Sequence, residues 1–233
     1  HGSDIQGIFD KRGNLILQGR ILKLASRMVA KLVDEVIIVS EHLKSYLPSI
    51  SYHVIPMGID INLFSPMQLT VARQALGLPL DKRLVLFVGD PTRTEKRFWL
   101  ARESVDVLQN QLNVELVVGH GVLHADMPLY MNACDVLLLT SSSEGSPTVV
   151  KEALACNLPV ISVDVGDVRM RIAAIEGCVL CKDDCPSTIS DALITVLTRN
   201  QRISGRHSVL SLDEELLTQT VLQVYQRVIG KGL

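Results

Sequence analysis

Short runs of aliphatic and β-branched residues alternate with stretches of helical periodicity from residue 84 onward. Each run is apolar throughout, which is typical of strands that are buried on both faces of a parallel sheet. The predicted strands span residues 84–88, 114–118, 135–139, 159–163 and 178–180. The predicted helices between them span residues 95–110, 128–134 and 147–156. This alternation predicts an α/β fold, a doubly wound parallel sheet of the Rossmann-like kind.

The chain upstream of residue 57 carries only part of a second α/β unit. Its pattern predicts a helix over residues 20–31, a buried strand over 36–40, a short helix over 41–46 and a strand end over 53–56. We therefore divide the chain into an expression scar (1–3), an N-terminal α/β remnant (4–56), a linker and entry (57–82), a Rossmann-like domain (83–210) and a terminal amphipathic helix (211–233).

Length and composition exclude several classes of protein. At about 150 residues per domain, 233 residues correspond to roughly one and a half domains. A net charge of −2 and an aromatic content of 4% argue against a nucleic-acid-binding protein, which would carry basic surfaces or stacking platforms. No apolar run reaches the ~18 residues of a membrane span and no signal-peptide pattern is present, so we expect a cytoplasmic protein.

Four basic residues lie on one face of the first predicted helix, because they recur at helical spacing. They are Arg20, Lys23, Arg27 and Lys31. Such a face is typical of a solvated helix surface over a core. The alternative is a helix that lies on an anionic membrane surface, which would place the protein peripherally at the inner membrane face.

The five cysteines form an odd count in a chain of this length, which favours reduced thiols over disulfides. Cys178, Cys181 and Cys185 have a spacing like that of metal ligands. However, residues 178–180 are predicted to form a strand, and no second Cys/His pair completes a set of four ligands. We therefore predict structural thiols and no metal site, with a cysteine metal site as the alternative.

The sharpest chemical feature is a loop between a predicted strand and a predicted helix. Ser146 is a natural N-cap, and Pro147 suits the first helical position because it has no N–H group to leave unpaired. The free N–H groups of Thr148 and Val149, with the positive end of the helix dipole, predict an anion site such as a phosphate seat. Gly145 permits close approach of a ligand to the backbone.

Two carboxylates, Glu144 and Glu152, flank this predicted phosphate seat. A carboxylate accepts two hydrogen bonds from a vicinal diol, so the pair is suited to a ligand that carries hydroxyl groups as well as phosphate. A nucleotide sugar has two such polyols, the ribose and the hexose. The alternative is that Glu152 is a solvated helix residue and the Ser-Pro pair is only a cap, and the residues alone favour neither.

The segment resembles the signature of retaining GT-B glycosyltransferases, and most closely that of family 4, the glycosyl transferases group 1. Besides Glu144 and Glu152, the residues that carry the resemblance are Gly145, Pro147, Ala153, Ala155, Pro159 and Val160. The resemblance extends over about residues 34–184. It implies the C-terminal, donor-binding domain of a GT-B fold, joined to only the tail of the N-terminal domain.

The resemblance also implies roles for these residues. Glu144 would lie at the transferred sugar, and Glu152 would bind the ribose. The backbone that follows Glu144 would hold the diphosphate, and its residues here are Gly145, Ser146, Pro147 and Thr148. The loop over residues 119–128 is similar to the family's base-binding loop, which would put His124 near the nucleobase.

In such enzymes a basic pair after the first strand of this domain neutralises the diphosphate leaving group, and Arg93 and Lys96 stand there. Without the resemblance, a solvated charged loop would be the alternative. The sequence departs from the usual pattern at two positions, since Asp90 stands where arginine is usual and Arg97 where glycine is usual.

Residues 56–60 with Phe64 resemble the family's interdomain linker, and the terminal helix resembles the one that crosses back to the N-terminal domain. The sequence therefore predicts a glycosyltransferase that transfers a sugar from a nucleotide-sugar donor to an unidentified acceptor (glycan, lipid or small molecule) with retention, without a cofactor or an obligatory metal. Two alternatives stay open: a nucleotide-sugar-binding half that needs a partner acceptor domain, and a truncated, non-catalytic fragment.

Apolar positions on the two flanking helices are expected to be exposed, because their usual packing partners are missing. They are Leu22, Met28, Leu32, Leu216 and Leu222. The strand at residues 36–39 is likewise expected to be an unpaired edge. Exposed edges and apolar patches are commonly covered by a second copy, so we predict a homo-oligomer built through residues 5–55 and the terminal helix.

Overall fold

The structure, a computed structural model, describes residues 5–7, 15–47, 50–109 and 111–230. In this part of the chain two short strands near the N-terminus form one parallel sheet, and five strands form a second, larger parallel sheet. The first two are β1 (Ile37–Ile38) and β2 (His53–Val54). The other five are β3 (Arg83–Val88), β4 (Val114–Gly119), β5 (Val136–Leu139), β6 (Val160–Ser162) and β7 (Val179–Leu180).

The larger sheet has the spatial order β4-β3-β5-β6-β7, and every neighbouring pair is parallel. All residues of β5 and β6 are buried, because helices cover both faces of the sheet. The helices of the described chain are α1 (Leu17–Val29), α2 (Leu69–Leu76), α3 (Phe98–Asp106), α4 (Met127–Ala133), α5 (Thr148–Ala155), α6 (Val168–Ile172), α7 (Pro186–Arg199) and α8 (Glu214–Gly230). Helix α3 packs against α7, and α4 packs against α2 and α5. The predicted doubly wound α/β fold is confirmed.

The helix predicted over residues 95–110 begins later and ends earlier than its pattern indicates. Residues Thr94–Lys96 form a 3₁₀ turn, and Arg97 adopts the left-handed conformation with φ of 48°, so α3 starts only at Phe98. The helix ends at Asp106, and residue 110 lies outside the described residues.

The N-terminal part differs from its prediction. The strand predicted over residues 36–40 contains only β1, which pairs with β2 along one edge and is therefore not wholly unpaired. On α1 only Gly19 is fully buried. The helix that carries the four basic residues therefore does not cover a core within the described residues. Residues 1–4, which include the predicted expression scar, lie outside the described residues.

The positions expected to be exposed are largely so. Four of the five predicted side chains are exposed, and they are Met28, Leu32, Leu216 and Leu222. Leu22 is half-buried instead. No helix in the part of the chain that the structure describes is long and apolar enough to cross a membrane.

The linker crosses the start of α8. The Ile59 N–H donates to Leu212 O over 3.0 Å, and the Glu214 N–H donates to Ile59 O over 3.0 Å. A Cβ on Gly58 would lie 2.5 Å from the Glu214 Cα, so only glycine permits this close approach. The linker and the last helix are thus fixed to each other at the edge of the larger domain. Helix α2 lies within the 57–82 segment and packs against α4.

Candidate functional site

Two loops meet at the carboxyl ends of neighbouring strands. Strands β3 and β5 pair in parallel, so the loop after β3 (89–97) and the loop after β5 (140–147) leave the same edge of the sheet. The Thr140 hydroxyl donates to Lys96 O over 2.9 Å, and the Ser142 N–H donates to Glu95 O over 2.8 Å. These bonds join the two loops in one arrangement, which forms the floor of the candidate site.

The site contains an ion pair between two residues that the sequence predicted. The Lys96 ammonium lies 2.6 Å from Glu144 Oε1, and their side chains are only 20% and 17% exposed. Gly89, with φ of 146°, adopts a conformation that favours glycine, and a Cβ there would meet the aliphatic stem of Lys96 at 3.4 Å. The fold therefore brings Lys96 and Glu144 into direct contact.

Arg97 occupies a strained position beside this pair. Its φ of 48° explains why glycine is usual at this position in the enzymes that the sequence resembles. The side chain makes contacts that a glycine lacks, since its Nε donates to Thr140 O over 2.6 Å and its guanidinium pairs with Asp184. These contacts offset the cost of the left-handed backbone.

The sequence predicts that Arg93 and Lys96 act together as a basic pair, but the Arg93 side chain pairs with Glu95 instead. Its Nε donates to Glu95 Oε1 over 2.7 Å, and the side chain is 60% exposed. It lines a cavity of about 480 Å³ between its own loop and the outer face of α3, together with Trp99 and Arg102. The neighbouring carboxylate is the physical reason, because a two-residue separation lets Glu95 neutralise the guanidinium locally.

Ser146 is not the N-cap that the sequence predicted. Helix α5 begins at Thr148, Pro147 is the extended N-cap residue with ψ of 116°, and no side chain caps the helix. The Ser146 hydroxyl instead donates to Asp167 Oδ2 over 2.8 Å, because that buried carboxylate competes with the helix amides for it. The Val150 N–H donates to Pro147 O over 3.3 Å, whereas the Thr148 and Val149 N–H groups precede the first bond of the helix, so the predicted anion site keeps these two donors.

The loop after β6 packs against the backbone of Glu144 and Gly145 in the loop after β5. Gly166, with φ of 58°, packs so closely that a Cβ would lie 3.1 Å from both Glu144 O and Gly145 O. Asp167 follows it and also accepts a hydrogen bond from Arg171 Nε over 2.9 Å. The loop after β6 therefore fixes the backbone of the loop after β5.

Glu152 lies on α5 and is 7% exposed, so the alternative that it is a solvated helix residue is wrong. His124 Nε2 is 3.4 Å from Glu152 Oε1, and the His124 ring meets the buried Phe64 ring edge-on at 5.2 Å. Burial raises the pKa of Glu152, and His124 opposes that rise. The sequence placed His124 near a nucleobase, and the fold puts it beside the carboxylate predicted to bind ribose.

Lys151 is a site residue that sequence reasoning missed. It is fully buried, and its ammonium donates to Met57 O of the linker over 2.9 Å. Burial lowers the pKa of Lys151 to about 8, while Asp167 and Glu152 oppose the shift. The signal in the sequence was a single lysine within an otherwise apolar helix, 148–155, beside Glu152.

The cysteines are structurally dispersed thiols. Cys134, Cys156 and Cys181 are buried, Cys178 is half-buried and Cys185 is exposed. Burial raises the pKa of Cys156 to about 12 and those of Cys178 and Cys181 to about 11, so these thiols stay protonated. Among the described residues, no group of three or more His, Cys, Asp or Glu side chains is arranged to hold a metal ion.

Comparison with known proteins gives curated relatives that are named as glycosyltransferases. TuaC of Bacillus subtilis (strain 168), a candidate teichuronic acid biosynthesis glycosyltransferase, is 38% identical over 133 residues, which cover 49% of this chain and 34% of that protein. A D-inositol 3-phosphate glycosyltransferase of Geodermatophilus obscurus is 26% identical over 230 residues, which cover 84% of this chain and 51% of that protein. The chain thus spans between a third and about half of the length of these curated relatives.

Solved structures share the fold at lower identity. Sucrose-phosphate synthase from Thermosynechococcus elongatus superposes with a TM-score of 0.77 at 20% identity, covering 92% of this chain and 63% of that one. Anabaena HepE in complex with UDP and glucose superposes with a TM-score of 0.72 at 17% identity, covering 89% and 67%. These neighbours show the fold, a Rossmann-like domain of the GT-B kind. The model of the family "Glycosyl transferases group 1" matches residues 73–199, more than half of the chain. The chain therefore belongs to the glycosyl transferases group 1.

Proposed function

We propose that this chain forms the nucleotide-sugar side of a glycosyltransferase that transfers a sugar from a nucleoside diphosphate donor with retained configuration. The observation that carries the proposal is the Lys96–Glu144 pair at 2.6 Å, set in the loop that leads into the free amides of α5. A cation, helix amides and carboxylates at one sheet edge suit a ligand with both phosphate and hydroxyl groups.

The leaving diphosphate gains negative charge as the bond between the sugar and its phosphate oxygen breaks. Lys96 and the N–H groups of Gly145, Ser146 and Thr148 would neutralise that charge, and fixed donors of this kind stabilise such a transition state without an obligatory metal. Arg93, which pairs with Glu95, makes no direct contact in this proposal. Lys96 would exchange part of its contact with Glu144 for the diphosphate when the donor binds.

The two carboxylates would hold the two polyols of the donor. Glu144 would position the transferred hexose, and Glu152 would accept hydrogen bonds from the ribose diol, with His124 near the base. The buried carboxylate of Glu152 has a single long hydrogen bond to His124 in the described part of the chain, so it retains acceptor capacity for such a ligand. The UDP and glucose held by HepE, a structural neighbour, support a donor of this class.

A second candidate function is a nucleotide-sugar-binding half that becomes an enzyme only with an acceptor domain. The N-terminal part described here contributes α1, a 3₁₀ helix (Glu41–Tyr46) and a two-stranded sheet, and the curated relatives are two to three times longer than the matched region. The acceptor, the predicted homo-oligomer and any peripheral membrane contact stay predictions, and light scattering at micromolar concentration tests the oligomer.

The test is calorimetric titration of the chain with UDP-glucose, GDP-mannose, ADP-glucose and the matching nucleosides. Binding of at least one nucleotide sugar more tightly than its nucleoside is expected, and no binding by any of them would refute the proposal. Sugar transfer or donor hydrolysis would then be followed by proton NMR, in which the anomeric coupling of the first product distinguishes retention from inversion. Binding without turnover would favour the binding half over the complete enzyme.

A further inference from the structure

A series of hydrogen bonds through Ser40, His42 and Gln6 joins the N-terminal part of the chain to the candidate site. The backbone of residues 143–145 closes this series into a ring. The Ser40 hydroxyl lies 3.0 Å from Gly145 O and 2.8 Å from His42 Nδ1. On the other side of the imidazole, His42 Nε2 lies 3.2 Å from Gln6 Nε2. Gln6 Oε1 in turn lies 2.9 Å from the Ser143 hydroxyl. The ring therefore begins and ends on the two residues that flank Glu144.

The order of the protons in this ring follows from its fixed acceptor. Gly145 O can only accept, so the Ser40 hydroxyl donates to it and accepts from His42 Nδ1–H. The lone pair of His42 Nε2 then accepts from the Gln6 amide, and Gln6 Oε1 accepts from the Ser143 hydroxyl. Each group is used in one consistent sense with a neutral imidazole, and burial lowers the pKa of His42, which favours that form although Asp167 opposes the shift.

The ring joins segments that are far apart in sequence, and it combines two buried residues with the half-buried His42 and Ser143. Ser40 and Gln6 are 3% and 9% exposed, and the bond from Ser40 to Gly145 spans 105 residues. Gly166 contacts the carbonyls of Glu144 and Gly145 from the larger domain. The turn that carries Glu144 is therefore held by the larger domain through Gly166 and by the N-terminal part through His42.

We propose that His42 is a positioning residue for the donor site, acting through Ser40 and Gln6. It holds the Ser143–Gly145 turn so that the Glu144 carboxylate and the amides that follow face the diphosphate sugar before the donor arrives. This inference rests on the proposed function for the identity of the ligand. It assigns to the N-terminal part a contribution to donor binding, beyond any contact with the acceptor.

The first test separates the turn from the rest of the nucleotide site. Titration of His42→Ala with UDP-glucose, or the best-binding sugar of the panel, is expected to give about 3- to 10-fold weaker affinity, the effect of one or two lost hydrogen bonds. Affinity for the matching nucleoside, which would contact Glu152, is expected to be unchanged. Equal losses for both ligands, or no loss for either, would overturn the proposal.

Rescue and coupling distinguish positioning from general stability. His42→Asn keeps a donor toward Ser40 and is expected to recover part of the affinity, whereas His42→Leu is not. Ser40→Ala with His42→Ala is expected to be less than additive, because both changes break the same ring. Additive effects, or full rescue by leucine, would count against the proposal.

A measurement without ligand distinguishes a failure of the positioning role of His42 from a failure of the proposed donor-binding function. Hydrogen exchange of the amides of residues 143–146 is expected to accelerate in His42→Ala and in Gln6→Ala, at unchanged melting temperature of the larger domain. Unchanged exchange would refute the positioning role even if nucleotide sugars bind. Faster exchange in a protein that binds no nucleotide sugar would leave the ring in place and refute the donor assignment instead.

Discussion

Replacing Glu152 by glutamine changes charge at nearly constant shape, so it separates the ligand-binding role of this residue from its packing. The side chain is 7% exposed, and burial raises its pKa above the ordinary value of 4.5. In the free protein the charged form is therefore disfavoured, and the neutral amide is expected to leave stability unchanged or to raise it. In the complex, glutamine offers one acceptor oxygen where the carboxylate offers two to the ribose diol.

Glu152→Gln is thus expected to weaken ligand binding while it leaves the stability of the free protein unchanged or raises it. Hydrogen bonds to a charged group are worth about 1–3 kcal/mol, so Glu152→Gln is expected to weaken nucleotide-sugar binding by about 5- to 150-fold. The raised pKa of Glu152 favours the folded state below pH 4.5, and that contribution is lost as the pH rises through the folded-state pKa. The stability difference between variant and wild type should therefore be smallest below pH 4.5 and grow toward neutral pH.

The assay pairs calorimetric titration with urea unfolding at several pH values. Glu115→Gln is the matched control, because Glu115 is a half-exposed strand residue paired with Lys82, away from α5. Unchanged affinity for every nucleotide sugar that binds the wild type would refute the ribose assignment. A loss of stability that is as large at pH 4 as at pH 7 would show that the carboxylate is structural.

Two further predictions concern the loop after β3. Lys96→Met is expected to weaken diphosphate ligands by about 10-fold or more while sparing the bare nucleoside, since only the former carry charge for Lys96 to neutralise; calorimetry with Lys82→Met as control checks this, and equal losses would move Lys96 away from the phosphates. At Arg97, with φ of 48°, Arg97→Gly is expected to be more stable than Arg97→Ala by about 1 kcal/mol, because glycine avoids the left-handed strain that alanine keeps. Urea unfolding of the two variants measures the difference, and an alanine variant at least as stable as the glycine variant contradicts the strain.

The sheet could be predicted because burial on both faces leaves a strong local signal. Each strand of the larger sheet lies within one residue of its predicted bounds. The side-chain contacts could not be predicted, because their partners are distant in sequence. Lys151 meets Met57 across 94 residues, and Ser146 leaves its predicted cap for Asp167, 21 residues away. Apolar patterns indicate which positions are buried, but not which carbonyl or carboxylate awaits a buried polar group.

The ends of α3 and the place of Arg93 were missed for a more local reason. A left-handed residue at Arg97 separates the 3₁₀ turn from the helix, and helical periodicity alone does not detect it. The resemblance held the clue, since glycine is usual at that position. Arg93 lies two residues from Glu95 in the same short turn, and its guanidinium pairs with the Glu95 carboxylate.

Adjacent residues of α5 link the donor site to the linker. Because consecutive helix residues point about 100° apart, Lys151 reaches Met57 O while Glu152 lies beside His124. Arg206 likewise donates to Ile61 O over 2.8 Å, so two cations of the larger domain bind linker carbonyls. The shift of the Lys151 pKa from 10.5 to about 8 corresponds to about 3 kcal/mol of unfavourable burial at neutral pH. A cost of that size is consistent with a positional role for Lys151 rather than a stabilising one.

Lys151→Met tests this reasoning, because methionine fills the same space without the charge. We expect a protein at least as stable as the wild type at pH 7 but with weaker nucleotide-sugar binding, since the direct bond from the linker to the helix that carries Glu152 is lost. The neutral form of Lys151 favours the folded state above pH 10.5, and that contribution is lost as the pH falls to 8. The stability advantage of the variant should therefore shrink as the pH rises from 8 toward 10.5. Urea unfolding across that range, with Lys82→Met as an exposed control, measures it. A variant that is less stable at pH 7 and binds nucleotide sugars normally would show that the buried ammonium serves the fold and not the site.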